Sequence, residues 1–167
     1  MNDTVTLEWF EIEVASKVGL SRCIENHRQN IGYGWNYDKN FEIGVKDSVQ
    51  GALAEQAFAK KLNIYYSSHV NYFNEPDLKY NDKNIQIRSQ TPKKTNFLIV
   101  RPNAKDNDIY VLIINRTPEF IIAGGLTARE AKKPEFLTDF GLQRPKVYAV
   151  PLEKLKDVTQ LLWKQYF

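Results

Sequence analysis

The feature that most constrains the fold of this chain is a series of near-continuous apolar runs in its second half. They cover residues 97–100, 109–114 and 120–123. Uninterrupted runs of this kind, rich in Ile and Val, are typical of central strands that are covered on both faces. Since such a sheet needs helices to cover it, the chain is predicted to be α/β, with a central mixed β-sheet flanked by helices.

Two helices are predicted before these strands. Apolar residues recur at helical spacing from about residue 6 to residue 27, with Thr6 as the expected N-cap and Gly19 expected to weaken or split the helix. The second helix is expected over residues 45–62, where a line of small side chains allows it to lie close to the sheet. Glu55 belongs to that line, so this helix is expected to aim a carboxylate at the sheet.

The segment between these helices, residues 30–44, is rich in Gly, Asn and aromatic residues and includes Trp35. It is predicted to be a loop, since its glycines interrupt regular structure. Two interpretations stay open for its rings: an ordered surface loop, or an aromatic flap beside a site, on which bases could stack.

Regular structure is also predicted after the apolar runs. A short helix is expected over residues 127–132 with Thr127 as its N-cap, and a last strand over residues 146–150. Pro151 is then expected to open a C-terminal helix.

A hairpin around Asn81-Asp82 is predicted to bring polar side chains together. If these two residues form the turn, Asp77 lies opposite Gln86, and a four-residue loop would instead place Asp77 opposite Arg88. In both registers the three polar side chains share one face, whereas a three-residue loop would separate them. The alternation of apolar and polar residues along the second strand favours the shared-face registers.

Phosphodiester cleavage needs groups of this kind. We expect Glu55 to reach the three polar side chains from the preceding helix and to complete the set. Hard oxygen ligands hold Mg²⁺, and the metal polarises the phosphate and activates a water molecule. A nearby cation then stabilises the charge that develops on the phosphate. The alternative interpretation is that Asp77 is a turn residue, Glu55 pairs with a lysine, and Gln86 and Arg88 form the solvent face of an edge strand.

Three short motifs resemble those of the PD-(D/E)XK nuclease superfamily. They are Gly51-Ala52-Leu53-Ala54-Glu55, Pro76-Asp77 and Gln86-Ile87-Arg88. More narrowly, the chain from about Trp9 to Leu155 resembles small phage and bacterial proteins of this kind. The resemblance implies a restriction-endonuclease-like core with the element order αβββαβ.

The resemblance also implies a role for each site residue. Asp77 would be the principal metal ligand, and Gln86 would supply a second ligand through its amide oxygen. Glu55 would bind the metal directly or through water, and Ile87 would offer its backbone carbonyl. Arg88 would take the position of the catalytic lysine, and the cofactor would be Mg²⁺ or Mn²⁺.

Basic and aromatic residues outside this constellation are candidates for contact with DNA. Lys93, Lys94 and Arg101 could follow a phosphate backbone, and Trp35 could stack on a base. The alternative is that each of these lysines and arginines is an ordinary solvated surface charge.

Two departures from the superfamily pattern lead to alternative functions. Gln86 removes one negative charge from the expected metal site, and Arg88 stays protonated, so it cannot act as a base although it can grip a phosphate. The first expectation is a Mg²⁺-dependent deoxyribonuclease of phage origin. The alternative is a catalytically inactive nuclease-like module that binds nucleic acid or a protein partner, for instance an inhibitor of a host system. A third interpretation is a virion or assembly protein.

Length and composition favour one domain in a reducing compartment. The chain has 167 residues, 43% of them hydrophobic, one cysteine and a net charge of +3. A single domain over residues 1–167 is expected, with residues 1–44 packing on a nuclease-like core of residues 45–167. Without a signal-peptide pattern or a membrane-spanning run, a cytoplasmic location is expected, in the host cytoplasm for a phage protein. A homodimer is compatible with these features.

Overall fold

The structure, a computed structural model, describes residues 3–31, 40–70, 75–94 and 97–163. Four α-helices and eight β-strands follow one another in these ranges. In chain order they are β1 (Asp3–Thr6), α1 (Trp9–Arg28), α2 (Phe41–Lys61), β2 (Leu78–Tyr80), β3 (Lys83–Gln90), β4 (Phe97–Val100), β5 (Ile109–Arg116), β6 (Glu119–Thr127), α3 (Ala128–Ala131), β7 (Leu137–Thr138), β8 (Val147–Pro151) and α4 (Val158–Trp163).

The expected α/β fold with a central mixed sheet is confirmed. Five strands form this sheet in the order β1-β6-β5-β3-β2, with β3 and β5 parallel and the other neighbours antiparallel. Helix α2 packs on one face, where Phe58 joins Ile85, Ile87 and Val111 in a buried cluster. Burial of these side chains fixes the distance and orientation of the helix relative to the strands.

A second, three-stranded sheet in the order β4-β8-β7 covers the opposite face. Leu98 and Val150 of this sheet are buried with Leu112 of the central sheet. The prediction that residues 97–100 form a central strand is therefore wrong. Those residues are apolar because they pack as a second layer on the central sheet, and a short apolar run does not distinguish the two arrangements.

The N-terminal segment differs from the expectation in two ways. Thr6 does not cap α1 but ends β1, which pairs with β6; Glu8 is the N-cap instead. Gly19 does not split α1, which is continuous across it. A Cβ atom at Gly19 would lie 2.5 Å from the Cα of Val49, so the glycine lets α1 and α2 approach closely.

The second helix begins earlier than expected. Phe41 is its first residue, and the side chain of Asn40 caps it by accepting a hydrogen bond from the Ile43 backbone N–H. The predicted loop over residues 30–44 therefore ends at Asn40, and its residues 32–39 lie outside the described part of the chain. Thr127 caps α3 as predicted.

The C-terminal segment is also reorganised. Pro151 ends β8 and is followed by a short 3₁₀ turn, so the prediction that it opens a helix is wrong. The chain then stays extended because Lys156 pairs its backbone with Gly125, and α4 begins only at Val158. Within the described ranges, every helix is too short or too polar to cross a bilayer.

Candidate functional site

The hairpin has the predicted two-residue turn. Asn81 and Asp82 have φ angles of 46° and 60°, and Tyr80 pairs with Lys83. Two consecutive positive φ angles are typical of the tight turns whose twist matches that of paired strands. Asp77 directly precedes Leu78, the first residue of β2, which is an edge strand of the central sheet.

The side chain of Asp77 continues the pairing where the backbone of β2 stops. Its Oδ2 atom accepts a hydrogen bond of 2.7 Å from the backbone N–H of Ile87. The carboxylate is thus fixed in the plane of the sheet beside β3. Its side chain is 27% exposed, so the carboxylate is reachable from solvent.

The predicted site residues do not all lie on one face of the sheet. Gln86 and Arg88 share a face, as predicted, and lie beside Tyr110 and Leu112 of the parallel strand β5. Helix α2, which carries Glu55, packs on the opposite face. Of these groups, Arg88 lies 4.0 Å from Asp77, and Glu55 is near enough for its charge to act on Asp77.

Glu55 is buried and fully engaged by an arginine that the sequence pattern did not reveal. Arg22 of α1 donates from Nη1 to Oε1 at 2.7 Å and from Nη2 to Oε2 at 2.9 Å. The hydroxyl of Tyr66 donates to Oε2 at 3.3 Å, and Arg22 Nε donates to the carbonyl of His69. Glu55 is therefore paired, as the alternative interpretation held, although with an arginine and not with a lysine.

Asp77 lies in an environment that disfavours its charge. Burial and the nearby charge of Glu55 raise the pKa of Asp77 to about 6, against the opposing effects of Arg88, the Ile87 N–H and Arg22. A carboxyl group with such a pKa changes protonation state close to neutral pH.

Arg88 lies between two of the predicted metal ligands. Its Nη1 donates to the carbonyl of Ile87 at 2.9 Å and lies 4.0 Å from Oδ2 of Asp77. Its guanidinium carbon is 4.9 Å from the ring centroid of Tyr110, a cation–π arrangement. Among the described residues, Nε and Nη2 have no hydrogen-bond acceptor, and the side chain is 33% exposed.

Gln86 contacts a buried acid that was not predicted. Its Nε2 donates to Oδ2 of Asp108 at 3.5 Å, and Asn84 Nδ2 donates to Oδ1 at 3.3 Å. Asp108 is 7% exposed and directly precedes β5. The start of β5 next to β3 is the signal that could have revealed it, because neighbouring parallel strands bring their first residues together.

Two of the predicted metal ligands already accept hydrogen bonds from arginines in this arrangement. Both carboxylate oxygens of Glu55 bind Arg22, and the carbonyl of Ile87 binds Arg88. In the ranges that the structure describes, no group of three or more His, Cys, Asp or Glu side chains could hold a metal ion. Arg22 and Arg88 supply positive charge beside Glu55 and Asp77, the two acids predicted to bind a metal.

Of the predicted DNA-contacting residues, two have described side chains. Lys93 is exposed in the turn after β3, and Arg101 is exposed directly after β4. Burial raises the pKa of the Tyr110 hydroxyl, and the charges of Arg88 and Arg101 oppose that shift, which places both arginines near this ring. Trp35 and the side chain of Lys94 lie outside the described part of the chain.

The predicted resemblance to nucleases depends on three elements that are present: the helix with Glu55, the hairpin that follows Asp77, and the strand with Gln86 and Arg88. The arrangement differs from a metal-dependent site in the two arginines that bind its acids and in the acid at position 108. No protein-family model matches the chain, and no curated protein or solved structure is significantly similar to it.

Proposed function

We propose that this protein binds the phosphodiester backbone of DNA through Arg88, in a nuclease-like site that uses guanidinium groups in place of a metal ion. The observation that supports the proposal is the position of Arg88. Asp77, the Ile87 carbonyl and the Tyr110 ring hold this guanidinium, while two of its nitrogen atoms keep donors for a ligand. A held guanidinium with free N–H groups matches the oxygen atoms of a phosphate.

Charge balance supports a site that works without a metal. Arg22 compensates the buried charge of Glu55, and Arg88 partly compensates that of Asp77. A divalent cation would have to displace at least one of these arginines or lie beside it. An anion meets the opposite situation, since Arg88 attracts it and the positive charge of Arg101 also acts on the Tyr110 hydroxyl beside Arg88.

The two exposed cations near the site favour a polymeric anion over a single phosphate group. Lys93 follows β3, the strand that carries Arg88, and Arg101 follows β4. A polymeric anion can contact several cations at once, and each contact releases counterions from DNA. Binding is therefore expected to weaken steeply with salt and to depend little on base sequence.

The experiment that tests this proposal measures binding of labelled single- and double-stranded DNA by fluorescence anisotropy over a series of salt concentrations, without divalent metal. Arg88→Ala is expected to weaken binding at least tenfold and to reduce the salt dependence by about one phosphate contact. Arg28→Ala is the matched control, since it also removes one arginine but an exposed one, from the last turn of α1, where it pairs with Glu25. Equal effects of the two substitutions would contradict the proposal.

A second candidate function, metal-dependent cleavage of DNA, is favoured by one observation. Asp77 and Glu55 are close enough for the charge of one to raise the pKa of the other. Two neighbouring acids at the edge of a sheet are the arrangement that a divalent cation relieves. The test incubates plasmid and single-stranded DNA with Mg²⁺ and with Mn²⁺, and it includes Asp77→Asn.

The outcomes separate the two candidates. Binding that requires Arg88, with no cleavage in either metal, supports the first. Cleavage that Asp77→Asn abolishes supports the second. Absence of both binding and cleavage would exclude both and would leave a protein-binding role.

A further inference from the structure

The outward face of α1 carries an unusual number of exposed large apolar side chains. Their exposed fractions are 71% for Trp9, 68% for Phe10, 48% for Val14, 39% for Leu20 and 47% for Ile24. Single exposed apolar residues are common, but a group on one element marks an interaction surface.

These five residues form one strip. Successive helical residues are about 100° apart, and on that geometry all five project within an arc of about 140°. The opposite side of α1, with Ala15, Val18, Gly19 and Cys23, is buried. Helix α1 therefore has two apolar faces, one buried within the domain and one exposed.

Two opposite charges lie in the middle of the exposed strip. Trp9 and Leu20 lie along one edge of the strip, and Phe10 and Val14 lie along the other. Glu13 and Lys17 project between these edges, with 2.6 Å between Lys17 Nζ and Glu13 Oε1. Their side chains are 65% and 72% exposed, so both can exchange this pairing for one with another molecule. A partner of this strip must offer apolar side chains and both charges.

We infer that the partner is a second copy of this chain, docked through α1 in antiparallel orientation. A two-fold axis that places Glu13 of each copy against Lys17 of the other also places Phe10 against Leu20. The strip is then self-complementary in charge and in apolar contact, as the symmetry of a two-fold interface requires. A parallel arrangement would oppose Glu13 to Glu13 and Lys17 to Lys17, which is unfavourable.

The size of the strip sets the expected affinity. A helix of 20 residues such as α1 is about 30 Å long. A standard interface buries about 800 Å² on each partner, and one helix face supplies less than that. Phe41 and Ile43, which are 44% and 45% exposed, add apolar surface at the start of α2. A dimer that dissociates at micromolar concentrations is therefore expected.

Sedimentation velocity of the full chain over a range of concentrations tests this inference. The wild type is expected to change from monomer to dimer with increasing concentration. Phe10→Asp is expected to shift the dissociation constant at least tenfold upward, and circular dichroism confirms that each variant is folded. Since Phe10 is 68% exposed, this substitution is not expected to disturb the monomer.

Charge reversal tests the orientation separately. Glu13→Lys is expected to weaken the dimer by placing lysines against each other, and the double variant Glu13→Lys/Lys17→Glu is expected to restore it. Glu153→Lys, at an exposed position of the turn after β8, is the control with the same change in net charge. A monomer at all concentrations, or a dimer that responds equally to Glu13→Lys and Glu153→Lys, would overturn the inference.

Discussion

Arg22 of α1 and Glu55 of α2 form a bidentate, largely buried ion pair that joins the two helices. The N–O distances are 2.7 and 2.9 Å, and the side chains are only 17% and 8% exposed. Planar guanidinium and carboxylate groups match each other in this geometry. The residue that the superfamily pattern assigns to a metal is therefore held by a neighbouring helix.

Removal of Arg22 is expected to destabilise the fold. Arg22→Met keeps most of the side-chain volume but leaves Glu55 buried without its counter-charge, which costs about 3–5 kcal/mol of unfolding free energy. Urea denaturation measures this loss. The double variant Arg22→Met/Glu55→Met is expected to be more stable than the single variant, since no charge then stays buried.

The exposed pair of Glu13 and Lys17 provides the control for this prediction. Lys17→Ala is expected to leave the stability of the monomer almost unchanged, because exposed ion pairs contribute little. A double Met variant as unstable as Arg22→Met would show that the loss comes from packing and not from the unpaired charge.

The raised pKa of Asp77 predicts a distinct pH dependence of stability. Its pKa of about 6 in the folded protein exceeds its ordinary value of 3.8, so the native state binds the proton more tightly than the unfolded chain does. The unfolding free energy attributable to Asp77 therefore falls as the pH rises from about 4 to about 6 and is constant above that. Asp77→Asn is expected to remove this fall and to be more stable than the wild type at pH 7.5.

The measurement compares urea denaturation of the wild type and Asp77→Asn from pH 4 to pH 8. Asp82→Asn, in the hairpin turn, is the control, because a positive φ angle suits Asn as well as Asp. It is expected to keep the pH dependence of the wild type. Parallel stability curves for wild type and Asp77→Asn would contradict the shifted pKa.

The hairpin and the short helix show which parts of the fold were predictable from sequence. Asn81-Asp82 tolerates positive φ angles, and Thr127 is a favourable N-cap, so short-range chemistry decides both features. The strand Asp3–Thr6 was missed because its formation depends on the free edge of β6, which lies far away in the sequence. Tertiary pairing decides the structure of such short segments.

The candidate site was predictable to the same extent. The register that places Asp77 beside β3 follows from the turn, and it is confirmed. The partner of Glu55 was not predictable, because Arg22 lies 33 positions away on a helix whose polar residues show no distinctive spacing. Asp108 was overlooked because a single acid before an apolar run does not indicate a site. Its contact with Gln86 follows only once β3 and β5 are known to be parallel neighbours.

Gly19 of α1 and Gly51 of α2 are expected to respond oppositely to substitution by alanine. At Gly19 a Cβ atom would lie 2.5 Å from the Cα of Val49 and 2.7 Å from the carbonyl oxygen of Ser48, so α1 and α2 must separate. Gly19→Ala is expected to lower the unfolding free energy by about 1–3 kcal/mol despite its better helix propensity. Gly51→Ala, with nothing within 4 Å, is expected to raise it by about 1 kcal/mol.

Thermal and urea denaturation of both variants check this prediction. Each substitution adds the same methyl group inside a helix, so intrinsic propensity cancels in the comparison. Stabilisation by both substitutions would show that the crossing of α1 and α2 is wider than the structure has it.

Gln86→Glu tests the contact between Gln86 and Asp108. It also tests whether Mg²⁺ or Mn²⁺ stabilises the wild-type site. Gln86 now donates to Asp108, which is 7% exposed, whereas a glutamate would place a second carboxylate there. Repulsion between the two acids is expected to lower the unfolding free energy by about 1–3 kcal/mol at neutral pH. The loss is expected to shrink as the pH falls, because protonation of one acid restores a hydrogen-bond donor between them.

The same variant distinguishes the two candidate functions. Gln86→Met, which removes the donor without adding a charge, is the control for loss of the hydrogen bond alone. If Mg²⁺ or Mn²⁺ restores the stability of Gln86→Glu but leaves the wild type unchanged, the wild-type site lacks the charge that a divalent cation needs, and Arg88 is left to bind phosphate. If the metals stabilise the wild type as well, the nuclease is the better proposal. Full stability of Gln86→Glu at neutral pH without metal would show that its side chain does not face Asp108, because a second carboxylate placed against the buried Asp108 lowers stability.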